Sequence, residues 1–270
     1  MNVAVRTLLV SASLSLAVIL PAAIRQPIRK PTLDPALPVV ELFAAIDAGT
    51  IEATVVAKNS HESNLFVTNK GPKGVSVQIP ETVGAVHVLK QIVPGGNVGQ
   101  PFGQGNANAG NGQGQPVGGG PAGAQKNGLN AVNNLPGGTI FSIPSEKSIQ
   151  VPLKTLCLAY GQPDPQPRMT YKLVPIAEVA PDAGVRNVIG QFVAGDLSEK
   201  SAQAATWHLA NGISWKALSA ERVGRVGGVA GQPMFSSKEL KAAQAEVDKF
   251  HDQAANGKKP DRAQASASNR

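Results

Sequence analysis

The chain has 270 residues, a formal charge of +7, one cysteine, and only 4% aromatic residues. One cysteine excludes an intrachain disulfide and any multi-cysteine zinc site. The lysines and arginines are dispersed among acids with no interleaved aromatics, which argues against a nucleic-acid surface, and the 29 glycines and 21 prolines assign much of the chain to loops.

Residues 1–24 read as a signal peptide. Met1 to Arg6 is a short basic start, Thr7 to Leu20 is apolar, and Leu20-Pro21-Ala22-Ala23 offers small residues for cleavage. Arg25, Arg29 and Lys30 follow directly and oppose translocation of that flank, so an uncleaved membrane anchor is the alternative. The expected location is secreted, periplasmic or cell-envelope, with membrane contact only through this N-terminal segment. Residues 25–41, with Pro27, Pro31, Pro35 and Pro38, read as an extended spacer.

From residue 42 the pattern predicts short strands. Ile51–Val56, Asn64–Thr68, Gly74–Ile79 and Ala85–Leu89 carry β-branched residues and are broken by Gly, Pro and Asn. Residues 94–138 contain 15 Gly, 8 Asn and the single charge Lys126. Such a segment buries too little apolar surface to offset its ordering entropy, so it is expected to be a disordered loop. Strand-like sequence resumes at Thr139–Ile143, Lys147–Val151 and Leu153–Tyr160. The expected fold is therefore mainly β: an immunoglobulin-like antiparallel sandwich over 42–160, interrupted by a long Gly-rich insertion. A small helical cap is expected over 161–255, and a disordered tail over 256–270. Its helices are signalled by Val185, Val188, Ile189 and Phe192, then by Leu197 to Leu209 with Asp196 or Ser198 as cap and Asn211-Gly212 as stop. Ser214 caps a short helix, and Ser236-Ser237-Lys238-Glu239 is a capping box opening a last helix to about Phe250.

The chemistry is sparse. His61, His87, His208 and His251 lack metal-ligand spacing, and no nucleophile elbow, phosphate loop or dinucleotide fingerprint is present. Neither a metal nor a cofactor is expected, and no enzymatic activity is assigned. Trp207, His208 and Trp215 are candidate binding residues, with core packing as the competing role for the tryptophans. Cys157 remains, between a strand-like run and the turn Gly161-Gln162-Pro163-Asp164-Pro165. A buried, inert thiol is its simplest reading. The alternative is an internal thioester with Gln203, which the predicted helix carries beside Trp207.

Leu156-Cys157-Leu158 and Ala202-Gln203-Ala204-Ala205-Thr206-Trp207 resemble the two short motifs of bacterial thioester adhesion domains. That resemblance implies covalent capture of an amine through Cys157 and Gln203. A broader one runs from about 42 to 245. Gly49–Ala53, Val67–Lys70, Val75–Glu81, Cys157–Arg168 with Tyr171-Lys172, and Ala202–Trp215 are similar to a family of secreted bacterial proteins of unknown function. It implies a shared fold and export, and brings no activity with it. Two functions follow as expectations: an exported non-catalytic binding or structural module for an unknown protein or envelope component, or a covalent adhesin using Cys157 and Gln203.

Overall fold

The computed structural model describes residues 26–88, 114–122, 132–135, 138–167, 169–223, 231–255 and 257. Six strands close into an antiparallel barrel. In chain order they are β2 (Ile51–Ala57), β3 (Glu62–Asn69), β5 (Val83–His87), β6 (Val117–Pro121), β9 (Ser148–Cys157) and β10 (Thr170–Pro175), and around the barrel they run β10-β2-β3-β9-β6-β5. Alternation of side chains sends Leu65 and Val67 of β3, Ile149, Val151 and Leu153 of β9, and Tyr171 and Leu173 of β10 into one interior. A second sheet orders β1 (Val39–Glu41), β4 (Val75–Ile79), β8 (Gly138–Ile143) and β7 (Val132–Leu135) as β1-β4-β8-β7. Its Val77, Ile79, Phe141 and Ile143 join the same core, together with Leu42 and Ala45 of helix α1 (Leu42–Asp47).

The expected immunoglobulin-like sandwich is therefore incorrect. Two unanticipated strands convert an open arrangement into a closed one. β10 lies beyond the proline-rich turn and pairs with both β2 and β5. β6 lies inside the stretch expected to be a disordered loop and pairs with β5 and β9. Its sequence, Val117-Gly118-Gly119-Gly120-Pro121, is buried throughout. The glycines answer to close approach: a Cβ on Gly119 would overlap the Lys154 carbonyl, and one on Gly118 would lie 2.7 Å from Ile189 Cδ1. The backbone of β6 thus fills space that side chains fill elsewhere. β7 also falls within 94–138; the other positions of that stretch, apart from 114–122 and Gly138, lie outside the described residues, as do the signal segment 1–24 and most of the tail.

Residues 26–38 are laced onto the strands. Ile28 donates to Ser148 O and accepts from Gln150 N, Ser142 N donates to Thr32 O, and Ser76 N donates to Pro38 O.

The helices cover one side of the barrel. α2 (Ile176–Val179) follows β10 directly. α3 (Ala183–Ala194) is capped by Asp182 and ended by Gly195 in the left-handed region. α4 (Glu199–Asn211) is capped by Ser198 and ended by Gly212 in the same conformation. α5 (Trp215–Ala220) starts at Ser214. α6 (Ser237–Ala255) opens with the reciprocal Ser236/Glu239 hydrogen bonds of the expected capping box. β11 (Arg222–Val223) and β12 (Gln232–Pro233) form a small ribbon. A second core joins these helices to the end of β9: Val188, Ile189 and Phe192 of α3, Ala204, Ala205 and Trp207 of α4, and Leu240, Ala243 and Val247 of α6 pack with Leu156, Cys157 and Leu158. Among the described residues no helix is long and apolar enough to cross a membrane.

Candidate functional site

The pairing of β3 with β9 runs from Thr68↔Ser148 to Glu62↔Lys154. One further rung follows, Thr155 N–H to His61 O at 2.8 Å. There β3 turns away toward β2. The turn is held by Asn59 Oδ1, which accepts from both His61 N and Glu62 N at 2.8 Å. Two residues further along β9, Cys157 has on that side no strand neighbour among the described residues, although its other edge still faces Val117 of β6. A buried N–H and C=O facing nothing would cost several kcal/mol, roughly the sum of two unmet hydrogen bonds.

The amide of Gln203 fills the gap. Cys157 N–H donates to Oε1 at 3.0 Å, and Nε2 donates to Cys157 O at 2.8 Å. Residues 46 apart in sequence thus meet where α4 packs on the strand end. Ala202, Ala204 and Ala205 are fully buried and small enough to let the helix backbone come close. Both expected site residues are buried, Cys157 at 1% exposure and Gln203 at 2%.

The Cys157 side chain donates to Ser60 O at 3.7 Å. Burial, followed by the negative charge of Asp164, pushes this thiol up to about 12. It is therefore a neutral S–H at ordinary pH. Tyr171, inside the barrel, is likewise pushed up to about 12, first by burial and then by Cys157 and Asp164.

Beside Ser60 stands His61, whose Nε2 lies 3.3 Å from Glu199 Oε1. Glu199 is four residues before Gln203, one turn back on the same face of α4. Three buried side-chain polar atoms have no hydrogen-bond partner among the described residues: His61 Nδ1, Thr206 Oγ1 and Trp207 Nε1. All three lie on α4 or on the turn it meets. Buried polar groups are ordinarily paired, so each of the three is an exception to that rule.

The other candidates are placed differently. Trp207, 7% exposed, packs edge-on against Tyr160 and Phe235 at 5.0 and 6.0 Å, as a core anchor. His208 accompanies Trp215 in a stack at 4.1 Å, its Nδ1 2.8 Å from Ile213 O. This stack shapes the α4–α5 corner and is separate from Cys157. Among the described residues no group of three or more His, Cys, Asp or Glu is placed to hold a metal. Sequence reasoning missed both His61 and Glu199 as site residues. Neither carries a local signal; their pairing exists only through the packing of α4 on the β2–β3 turn.

Comparison of the chain with family profiles, with characterised proteins and with solved structures finds no match.

Proposed function

We propose that this is an exported module that attaches covalently to an amine-bearing partner through an internal thioester between Cys157 and Gln203. The observation that carries the reading is the seating of the Gln203 amide on Cys157. The Cys157 N–H already donates to Oε1, where negative charge develops when a nucleophile adds to the amide carbon, as an oxyanion donor does. Burial of both residues holds them together and keeps water away.

The chemistry balances within the chain. Cys157 Sγ adds to Gln203 Cδ, the Cδ–Nε2 bond breaks, the thiol proton passes to nitrogen, and ammonia leaves. A primary amine then adds at the same carbon and forms an amide. Sγ departs with its electron pair and regains a proton from the amine.

A second reading has one observation in its favour. The two-point bond from Gln203 satisfies both backbone groups left over where β3 departs, and needs no reaction to justify it. Under that reading the protein is an exported non-catalytic binding module for a protein or envelope component, and Gln203 is a clamp. Methylamine separates the two. Incubation followed by peptide mapping is expected to find methylamide at Gln203 in the wild type and none in Cys157→Ala. An unmodified Gln203 and one freely titrating thiol in denaturant would assign the clamp.

A further inference from the structure

We infer that His61, oriented by Glu199, is the general base that takes the proton from the incoming amine and returns it to the departing Cys157 sulfur; this rests on the thioester reading. Three independent placements lead to it. First, His61 is covalently adjacent to the peptide whose oxygen, Ser60 O, accepts the Cys157 thiol, and its own carbonyl accepts from Thr155, two residues before that cysteine. Second, its carboxylate partner Glu199 stands one helical turn from Gln203, so α4 carries both the amide and the orienting acid, and the β2–β3 turn that meets α4 carries the imidazole. Third, the ring is polarised in a defined sense. With Nε2 at 3.3 Å from Glu199 Oε1, the carboxylate favours the proton on Nε2 and leaves the lone pair on Nδ1. Nδ1 is the inner nitrogen, buried and without a partner among the described residues. A carboxylate on one imidazole nitrogen and an unengaged basic nitrogen on the other is the arrangement that makes histidine a base in acyl transfer.

The position also supplies the way in. Cys157 and Gln203 are themselves buried, whereas Ser60 and His61 are only half-buried, with the His61 side chain 32% exposed. An amine approaching over the β2–β3 turn passes the imidazole before it reaches the acyl carbon. His61 Nδ1 takes one proton as the carbon–nitrogen bond forms, and delivers it to Sγ as the carbon–sulfur bond breaks. No other reactant is required. The substrate class is an unhindered primary amine, such as a lysine side chain on an extended segment.

The test follows capture kinetics by intact mass on the purified full chain, with methylamine and hydroxylamine as probes. Hydroxylamine is an intrinsically strong nucleophile that depends little on a base. His61→Asn, given time to complete ammonia loss (the reverse of the same step, which should slow in parallel) before a probe is added, is expected to capture methylamine about a hundredfold more slowly, and to capture hydroxylamine at close to the wild-type rate. Glu199→Gln is expected to slow methylamine selectively as well, to a smaller degree. Methylamine capture at the wild-type rate in His61→Asn would overturn the assignment, and so would equal slowing of both amines, since disturbed packing does not discriminate between them. Should His61→Asn fail to fold, Glu199→Gln decides alone, because that carboxylate is 44% exposed and dispensable to the core. A wild-type protein retaining its ammonia would instead sink the thioester itself, before any variant is compared.

Discussion

At the scale of single residues, the seam between barrel and helices depends on Gln203. In a Cys157→Ala background, where the thioester cannot form and the amide is retained, Gln203→Leu leaves the backbone N–H and C=O of position 157 buried without these partners. A loss of about 2–5 kcal/mol is expected in urea unfolding, from two unmet groups. A loss below about 1 kcal/mol would mean that the strand end relaxes to find other partners. Tyr171 supplies a pH signature. The native state holds its hydroxyl proton to about 12, while the unfolded chain releases it from the ordinary 10.0. Between those values the unfolded state binds fewer protons, so stability falls as pH rises, and it is fully retained below the lower value. Tyr171→Phe, compared with wild type in urea titrations across that window, is expected to show a shallower fall. Equal slopes would show that the phenol ionises freely in the native state. Both residues were partly legible in the sequence. Cys157 and Gln203 were paired there on short motifs, and the structure brings them together. What could not be read was that the Gln203 amide engages the cysteine's backbone, since that follows from where β3 ends, a property of strand pairing rather than of either residue.

At the scale of elements, β6 closes the barrel with almost no side chains. Gly119 lies against the Lys154 carbonyl and Gly118 beneath Ile189 and Ile176. Gly119→Ala is expected to lower stability by about 1–3 kcal/mol through overpacking, measured by thermal or urea unfolding. A neutral result would place β6 outside the barrel. The same glycines explain why the strand was illegible. Sequence patterning detects strands by alternating apolar side chains, and Val117-Gly118-Gly119-Gly120-Pro121 offers one. β10 was missed for a different reason: it follows a proline-rich turn that read as the start of the helical part. The helices were readable because their signals are local. Ser198, Ser214 and Ser236 all cap helices in the structure. Ser198→Ala, which removes the acceptor for Ser201 N, is expected to cost about 1 kcal/mol. Because α4 carries Gln203, that change should also slow ammonia loss if the helix start fixes the amide; an unchanged rate would place that control elsewhere on α4.

At the scale of the molecule, two cores meet along β9. Its inward residues Ile149, Val151 and Leu153 belong to the barrel, while Leu156, Cys157 and Leu158 belong to the helical side. The strand that ends the barrel therefore begins the helical core, and the candidate bond would join the two covalently. The N-terminal segment, expected to be an extended spacer, is hydrogen-bonded along β8 and β9 through Thr32 and Ile28. The division into a β part and a helical part was legible because hydrophobic periodicity changes from two to 3.6 between them. Closure into a barrel was not, because it depended on the two strands with the weakest local signals.

The most direct measurement is the intact mass of the purified, untreated protein, compared with Cys157→Ala purified in the same way. The account predicts that the wild type is lighter than its sequence requires by one ammonia while the variant is not, and that the wild type shows no titratable thiol when first unfolded at neutral pH. A wild type at full mass with its thiol free would contradict it.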